Sequence, residues 1–253
     1  GYGPSFVNPH TGQILGADVM LEYAFLTNQV AQNKLFETAG LPLQSAADVP
    51  KTLPKHTCTL PGFLHTNTMF GRAALETQAP TADTEQSGPS DLDGELTQLM
   101  EEGLHFLALH EVGHTLGLQH NMKSSQLHSA EAVHDASVTR DEGLVGSVMD
   151  YPAVNVAPPG TEQGQYYTTR PGPYDVWAVE YGYTPDASEQ ELDEILSRST
   201  EPELAFGNDA DDMRAPGKAI NPRVMVGDMS NEALDYAENR MRLVGDLMDD
   251  LLE

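Results

Sequence analysis

The stretch ALHEVGHTLGLQHN, residues 108–121, holds three histidines and one glutamate in a segment that is otherwise mostly apolar or glycine. The apolar spacing before it predicts a helix, so His110, Glu111 and His114 would lie within that helix. Burying such side chains without a partner costs free energy. A metal ion would satisfy several of them at once, and their spacing can be tested against that requirement.

Residues four apart lie on the same helix face, so His110 and His114 would point the same way, one turn apart. Glu111 would lie about 100° around the helix from His110, close enough to touch a water on a shared ion. Gly117 can turn the backbone and bring His120 to the same ion as third ligand. Three imidazoles leave one position of a tetrahedral zinc ion open, which is typical of catalytic zinc. The alternative, a helix with satisfied core histidines, leaves this clustering unexplained.

Residues 110–120, HEVGHTLGLQH, match the motif H-E-x-x-H-x-x-G-x-x-H in full, so the chain resembles the metzincin zinc peptidases. The resemblance implies that Met149, in SVMDYP, forms the Met-turn beneath the three histidines. It also implies that Tyr151 ligates zinc or stabilises the tetrahedral intermediate, as a tyrosine does in astacin- and serralysin-like metzincins. Asp150 replaces the histidine of those groups. The alternatives are an ordinary core methionine and a packing tyrosine.

A longer resemblance covers roughly residues 1–253 and relates the chain to the catalytic region of a group of large bacterial zinc-dependent metalloproteases. It implies a multidomain parent chain, an extracellular or periplasmic location, and a further strand and helix ahead of GYGPS. The segments that carry it are GPSFVNPHTGQILGADV (3–19), HEVGHTLGLQHN (110–121), SVMDYPA (147–153), YDVWAVEYGY (174–183), PELAFGND (202–209) and NEALDYAENRMRL (231–243).

Composition narrows the possible partners. The 253 residues include 39 acidic and 13 basic ones, and the formal net charge of −26 argues against nucleic acid as a partner. No apolar run approaches the roughly 20 residues of a membrane span. The single cysteine, Cys58, excludes an intrachain disulfide and is interpreted as a small buried hydrophobe.

An acidic segment near the C-terminus, FGNDADDMR, raises the possibility of a bound Ca²⁺ ion. Its candidate ligands are Asp209, Asp211 and Asp212. The segment lacks the glycine and the distal glutamate of an EF-hand loop, so a solvated acidic loop is the favoured interpretation.

The remaining patterns predict the fold. We expect an α+β, metzincin-like zincin, with a small sheet packed on a long zinc-binding helix and a mostly helical lower lobe. The predicted units are 1–120 (upper lobe), 121–184 (lower lobe with the Met-turn) and 185–253 (helical extension). The predicted elements are strands at 13–25 and in FLHTNTMF (63–70), and helices at 26–39, 91–116, 173–183, 188–198 and 231–253. The last helix carries an apolar stripe expected to dock on the chain's own core: Leu234, Ala237, Met241, Val244, Met248 and Leu251.

These observations predict a zinc-dependent endopeptidase acting on polypeptides through a zinc-activated water, with Glu111 as general base. FLHTNTMF is the candidate edge strand for an extended substrate. Two alternatives stay open: a zinc hydrolase of a non-protein amide, and a non-catalytic zinc-binding module. The intact Glu111 argues against the second, because such a module has no use for this acid.

Overall fold

A computed structural model of the protein describes residues 5–19, 60–78, 92–213 and 221–250. The strands are β1 (Ser5–Val7) and β2 (Ile14–Ala17), which pair antiparallel. The helices are α1 (Leu60–Gln78), α2 (Leu92–Thr115), α3 (Ala136–Glu142), α4 (Pro173–Tyr183), α5 (Glu189–Ser197) and α6 (Ala233–Asp250). The chain is therefore α+β, as predicted.

Several predictions fall partly or wholly outside the described residues. The predicted helix at 26–39 and Cys58 lie outside them, as does the second half of the strand predicted at 13–25. The boundaries between the three predicted units remain predictions. Within the described ranges, no helix has both the length and the apolar character needed to cross a bilayer.

The long helix α2 confirms the prediction for residues 91–116 and carries the start of the HEVGH motif. Its buried positions recur at three- and four-residue steps, which puts one face against the core. The helix ends where Gly117 adopts a φ of +85°, a left-handed conformation suited to glycine. The amide of Leu118 donates to the Gly113 carbonyl and that of Gly117 to the His114 carbonyl, both at 3.0 Å, forming a Schellman motif.

The prediction of a strand at FLHTNTMF (63–70) is wrong, because these residues lie in the middle of α1. The β-branched and aromatic residues favoured a strand. The buried positions recur instead with helical spacing: Leu60, Leu64, Asn67, Thr68, Gly71, Ala74 and Leu75. A Cβ at Gly71 would meet Leu99 and Val154 at 3.3 Å, so the small residue lets α1 approach α2. This segment therefore supplies no edge strand for a substrate.

The predicted docking stripe of α6 is also wrong, because its residues up to Met248 face away from the core, and Leu251 lies outside the described residues. Leu234 is 83% exposed, Met241 64% and Met248 51%. The face that packs inward instead carries Tyr236, Arg240 and Leu243. Both faces have helical spacing, so periodicity could not decide between them.

The inward face of α6 is selected by hydrogen bonds that only the folded chain offers. The Val154 carbonyl accepts from the Tyr236 hydroxyl at 3.2 Å and from the Arg240 guanidinium at 2.8 Å. The same guanidinium lies 3.9 Å above the Phe70 ring of α1. A long basic side chain buries its stem in such a contact.

The core that supports α2 is completed by the buried segment between α3 and α4. Phe106 stacks on Tyr167 with ring centroids 6.0 Å apart. The Glu102 carboxylate of α2 accepts the amides of Tyr166 and Tyr167 at 2.6 and 3.1 Å. These contacts fix the chain that follows Met149 against the long helix.

Candidate metal centre

Three imidazoles converge at the C-terminal end of α2. His110 and His114 come from the helix itself, and His120 returns to them after the glycine turn. The ring centroids are 4.7 Å apart for His110 and His114, 5.2 Å for His110 and His120, and 4.8 Å for His114 and His120. One candidate ligand nitrogen from each ring lies within 4.8 Å of the other two. The predicted triad is therefore brought together, close enough to share one ion.

The two helical histidines are oriented by backbone carbonyls. His110 Nδ1 lies 2.7 Å from the Val148 carbonyl oxygen, and His114 Nδ1 lies 3.2 Å from that of Leu118. Because a carbonyl only accepts, each Nδ1 carries the proton and donates it. The Nε2 lone pair of each ring is then available to a metal.

The third histidine has a carboxylate as its partner. His120 Nδ1 lies 2.9 and 3.0 Å from the two carboxylate oxygens of Asp209. This role of Asp209 could not be predicted from the sequence, because the contact joins residues 89 apart and no local spacing signals such a pair.

The calcium prediction gains no support. Within the described ranges, Asp209, Asp211 and Asp212 do not form a group of possible metal ligands. Asp209 and Asp211 are exposed, whereas Asp212 is buried. The Asp209 carboxylate contacts the His120 ring instead.

The surroundings keep the helical histidines in the neutral form that binds metals. Burial lowers the pKa of His110 well below its usual value, and the nearby His114 and His120 lower it further. Burial also lowers the pKa of His114, with a further contribution from His120. Neutral imidazoles with the proton fixed on Nδ1 are the donor set that zinc takes in catalytic sites. The residues present therefore fit a zinc ion.

Glu111 and Tyr151 lie beside the triad. Glu111 is fully buried on α2, next in sequence to the first ligand. The Tyr151 hydroxyl lies 3.4 Å from His120 Nε2, on the metal-facing side of that ring. The centroid of the Tyr151 ring lies 5.5 Å from that of the His110 ring and 5.7 Å from that of the Phe63 ring. The predicted roles of general base and oxyanion stabiliser are compatible with these positions and remain predictions.

Met149 lies directly against the helical turn that joins the first two ligands. The side chain is fully buried. A Cβ built at Gly113 would lie only 2.3 Å from the Met149 sulfur, so the sulfur occupies the space that a side chain would need. The glycine inside the HEVGH motif is therefore required by the methionine beneath it.

The segment that carries Met149, residues 147–152, is held by an aspartate that sequence reasoning missed. The Asp175 carboxylate accepts the Ser147 hydroxyl at 2.5 Å, the Val148 amide at 2.8 Å and the Gly172 amide at 2.9 Å. Burial raises its pKa, and these hydrogen bonds oppose the increase. Its position in the first turn of α4 was the available signal, because acidic residues favour helix N-termini.

Asp150, between Met149 and Tyr151, is also fully buried. It accepts the Ser124 hydroxyl at 2.9 Å, the Ser125 amide at 2.6 Å and the Tyr151 amide at 2.7 Å. Burial raises its pKa well above the usual value, and the neighbouring carboxylate of Asp228 raises it further. Asp150 thus ties the 147–152 segment to the short 3₁₀ helix Ser124–Gln126.

Comparison with known proteins places this geometry in a family. No curated protein and no solved structure matches the chain. The model of the Met-zincin family matches residues 93–253, which include the three histidines, Met149 and Asp209. Because the match covers more than half of the chain, the protein belongs to the Met-zincin family of zinc metallopeptidases.

Proposed function

We propose that the protein is a zinc-dependent endopeptidase that hydrolyses peptide bonds within polypeptide substrates. The observation that carries this proposal is the convergence of three metal-facing nitrogens beside a buried carboxylate and a tyrosine hydroxyl. A structural zinc site fills all four positions with protein ligands, whereas three ligands leave room for water and substrate.

Each residue of the site has a distinct task in this proposal. When bound, zinc polarises the scissile carbonyl and lowers the pKa of its water to about 7. Glu111 accepts a proton from the attacking water and passes it to the leaving amine. The Tyr151 hydroxyl donates a hydrogen bond to the oxygen that becomes negative as the carbonyl is attacked. His110, His114 and His120 hold the ion throughout.

We also propose that the protein acts outside the cytoplasm as part of a larger, exported parent chain. The support is the resemblance to exported bacterial metalloproteases over most of the chain. Cell fractionation of the parent protein tests this proposal. Its recovery in the periplasm or the medium would support it, and recovery only in the cytoplasm would contradict it.

A substrate panel tests the endopeptidase proposal. Purified zinc-loaded protein is incubated with denatured proteins and peptides, and in parallel with acylated amines and cell-wall amides. Mass spectrometry then identifies the bonds that are cleaved. We expect cleavage at internal peptide bonds, and loss of that cleavage in Glu111→Gln, which keeps the size of the side chain but removes the base.

Three outcomes would contradict the proposal. Cleavage of the non-protein amides alone would favour the alternative hydrolase. Zinc binding without any hydrolysis would favour a non-catalytic module. Undiminished peptide cleavage by zinc-loaded Glu111→Gln would exclude this residue as the base.

A further inference from the structure

We propose that Asp209 is a positioning residue that holds His120 in its ligating orientation and thereby sets the affinity for zinc. This inference rests on the proposed zinc site. The three histidines are oriented by different kinds of partner. Two of them are fixed by backbone carbonyls, while the third depends on a side chain from a distant part of the sequence.

The local backbone of His120 does not fix its ring in the way that a helix does. Residues 118–120 belong to no helix or strand. The two carboxylate oxygens of Asp209 both lie within 3.0 Å of Nδ1, so they constrain the rotation of the ring and keep the proton on Nδ1. With the proton held on Nδ1, Nε2 is the nitrogen that can present its lone pair to the ion.

The fold delivers Asp209 to this position through the residue that follows the third ligand. The buried Asn121 side chain donates to the Ala205 carbonyl at 3.0 Å and accepts the Gly207 amide at 3.1 Å. The Met122 amide donates to the Gly207 carbonyl at 2.7 Å. These bonds tie the chain before Asp209 to the chain after the third ligand, so the contact is built into the fold.

The segment is also held from the other side. The Phe206 ring stacks on that of Tyr174 in α4, with centroids 5.6 Å apart. A Cβ at Gly207 would lie 2.5 Å from a Val224 methyl, so this stretch of backbone is closely packed. Residues 205–207 thus form a fixed base from which Asp209 reaches the metal centre.

The expected effect of Asp209 is geometric more than electrostatic. Its side chain is 66% exposed, so solvent screens its charge at the metal. Partners that orient a metal-bound histidine typically change metal affinity by about 10- to 100-fold when removed. Asparagine retains one oxygen acceptor at the same place, whereas alanine retains none.

Zinc dissociation constants measured by competition with a chelator test the inference. We expect Asp209→Ala to bind zinc about 10- to 100-fold more weakly than the unchanged protein, with Asp209→Asn between the two. The matched control is Asp211→Asn, which removes the same charge from an exposed position two residues away and keeps an oxygen that can accept the Asn208 amide, as the Asp211 carboxylate does at 3.3 Å. We expect its dissociation constant to stay within about twofold, because exposed charges contribute little.

A spectroscopic measurement separates positioning from a general structural role. The visible absorption bands of the cobalt(II)-substituted protein report ligand geometry without any need for turnover. We expect altered bands for Asp209→Ala, a smaller change for Asp209→Asn and none for Asp211→Asn. Unfolding curves of the metal-free proteins should coincide.

The inference is overturned if Asp209→Ala binds zinc as tightly as Asp211→Asn and gives the same cobalt spectrum. It is also overturned if Asp209→Asn is as impaired as Asp209→Ala. Failure of the endopeptidase proposal looks different. In that case the unchanged protein binds zinc, and Asp209→Ala weakens the binding, but no peptide is cleaved. A chain that binds no zinc would reject both.

Discussion

Gly113 and Met149 occupy mutually exclusive space: a Cβ on the glycine would lie 2.3 Å from the methionine sulfur. Real side chains do not tolerate this distance, and the sulfur is enclosed on all sides because Met149 is fully buried. The helix turn that carries two metal ligands therefore rests directly on Met149. Any group added between them must push the two apart.

Gly113→Ala should consequently destabilise the protein and weaken zinc binding together. Overpacking of a core typically costs about 1–3 kcal/mol, which here exceeds the gain in helix propensity. Chemical denaturation of the metal-free protein measures the first effect, and chelator competition measures the second. Gly245→Ala in α6 is the matched control, because nothing lies within 4 Å of its Cβ position, and it should be neutral or stabilising. Equal stability of the two variants would contradict this packing argument.

Tyr151→Phe should lower kcat while leaving zinc binding intact. The substitution keeps the ring packed beside His120 and Phe63 but removes the hydroxyl that faces the metal side. Loss of one donor to a developing oxyanion typically costs about 100-fold in kcat. Steady-state kinetics on a cleaved peptide gives the measurement.

Tyr183→Phe serves as the control for that kinetic experiment. This tyrosine is exposed, and its hydroxyl donates to the Leu116 carbonyl at the end of α2, at 3.0 Å. We expect its kcat to match that of the unchanged protein. An undiminished kcat in Tyr151→Phe would show that the hydroxyl has no part in the reaction.

Asp175→Asn should loosen the 147–152 segment that carries Met149. The three donors now share two carboxylate oxygens, and asparagine keeps one oxygen but replaces the other with an NH2 donor. At least one buried N–H or O–H therefore loses its acceptor. Each such loss costs about 1–3 kcal/mol. Denaturant unfolding should therefore show a markedly lower free energy of unfolding for Asp175→Asn. The control is Asp193→Asn, at an exposed aspartate of α5, which should leave the free energy of unfolding almost unchanged. Similar unfolding midpoints for both variants would show that the Asp175 carboxylate does not stabilise this segment.

Asp228→Asn should change the dependence of stability on pH. Burial raises the pKa of Asp228 to about 6, and its Oδ2 has no hydrogen-bond partner among the described residues. The folded state thus binds more protons than the unfolded state between about pH 4 and 6, so stability falls as the pH rises through that window. Asp228→Asn has no carboxyl group to titrate, so this fall in stability should be absent from the variant.

Denaturation of the metal-free proteins at pH 4, 5, 6 and 7 checks the sign. Since one pKa unit corresponds to about 1.4 kcal/mol, Asp228→Asn should gain at most about 3 kcal/mol over the unchanged protein at pH 7. The difference should shrink towards pH 4, where the carboxyl group is protonated in the folded state and about half protonated in the unfolded state. A constant difference across the series would mean that Asp228 does not titrate in this window.

The parts of the fold that the sequence predicted well are those fixed by local interactions. The bounds of α4 were predicted as observed, and the capping box of Ser188 and Glu191 opens α5 where expected. The turn at Gly117 followed from the need to bring His120 back. In each case a few neighbouring residues hold the determining chemistry, so one sequence suffices to identify it.

The features that were missed depend on contacts distant in sequence. Residues 63–70 have a strand-like composition, but packing against α2 makes them helical. The face of α6 that packs inward is the one whose Tyr236 and Arg240 side chains donate hydrogen bonds to the Val154 carbonyl. The roles of Asp209 and Asp150 likewise depend on partners 89 and 26 residues away.

The separation between His120 and Asp209 has a consequence for how the protein matures. Closing a loop of that length costs conformational entropy, and contacts between residues distant in sequence form more slowly than local ones. On the proposed role of Asp209, the protein would therefore reach its full zinc affinity only after the chain has folded through position 209, even if the helix with the first two imidazoles is already formed. Substitutions that slow this closure would appear as sluggish loading of the metal in a protein whose helices are already formed.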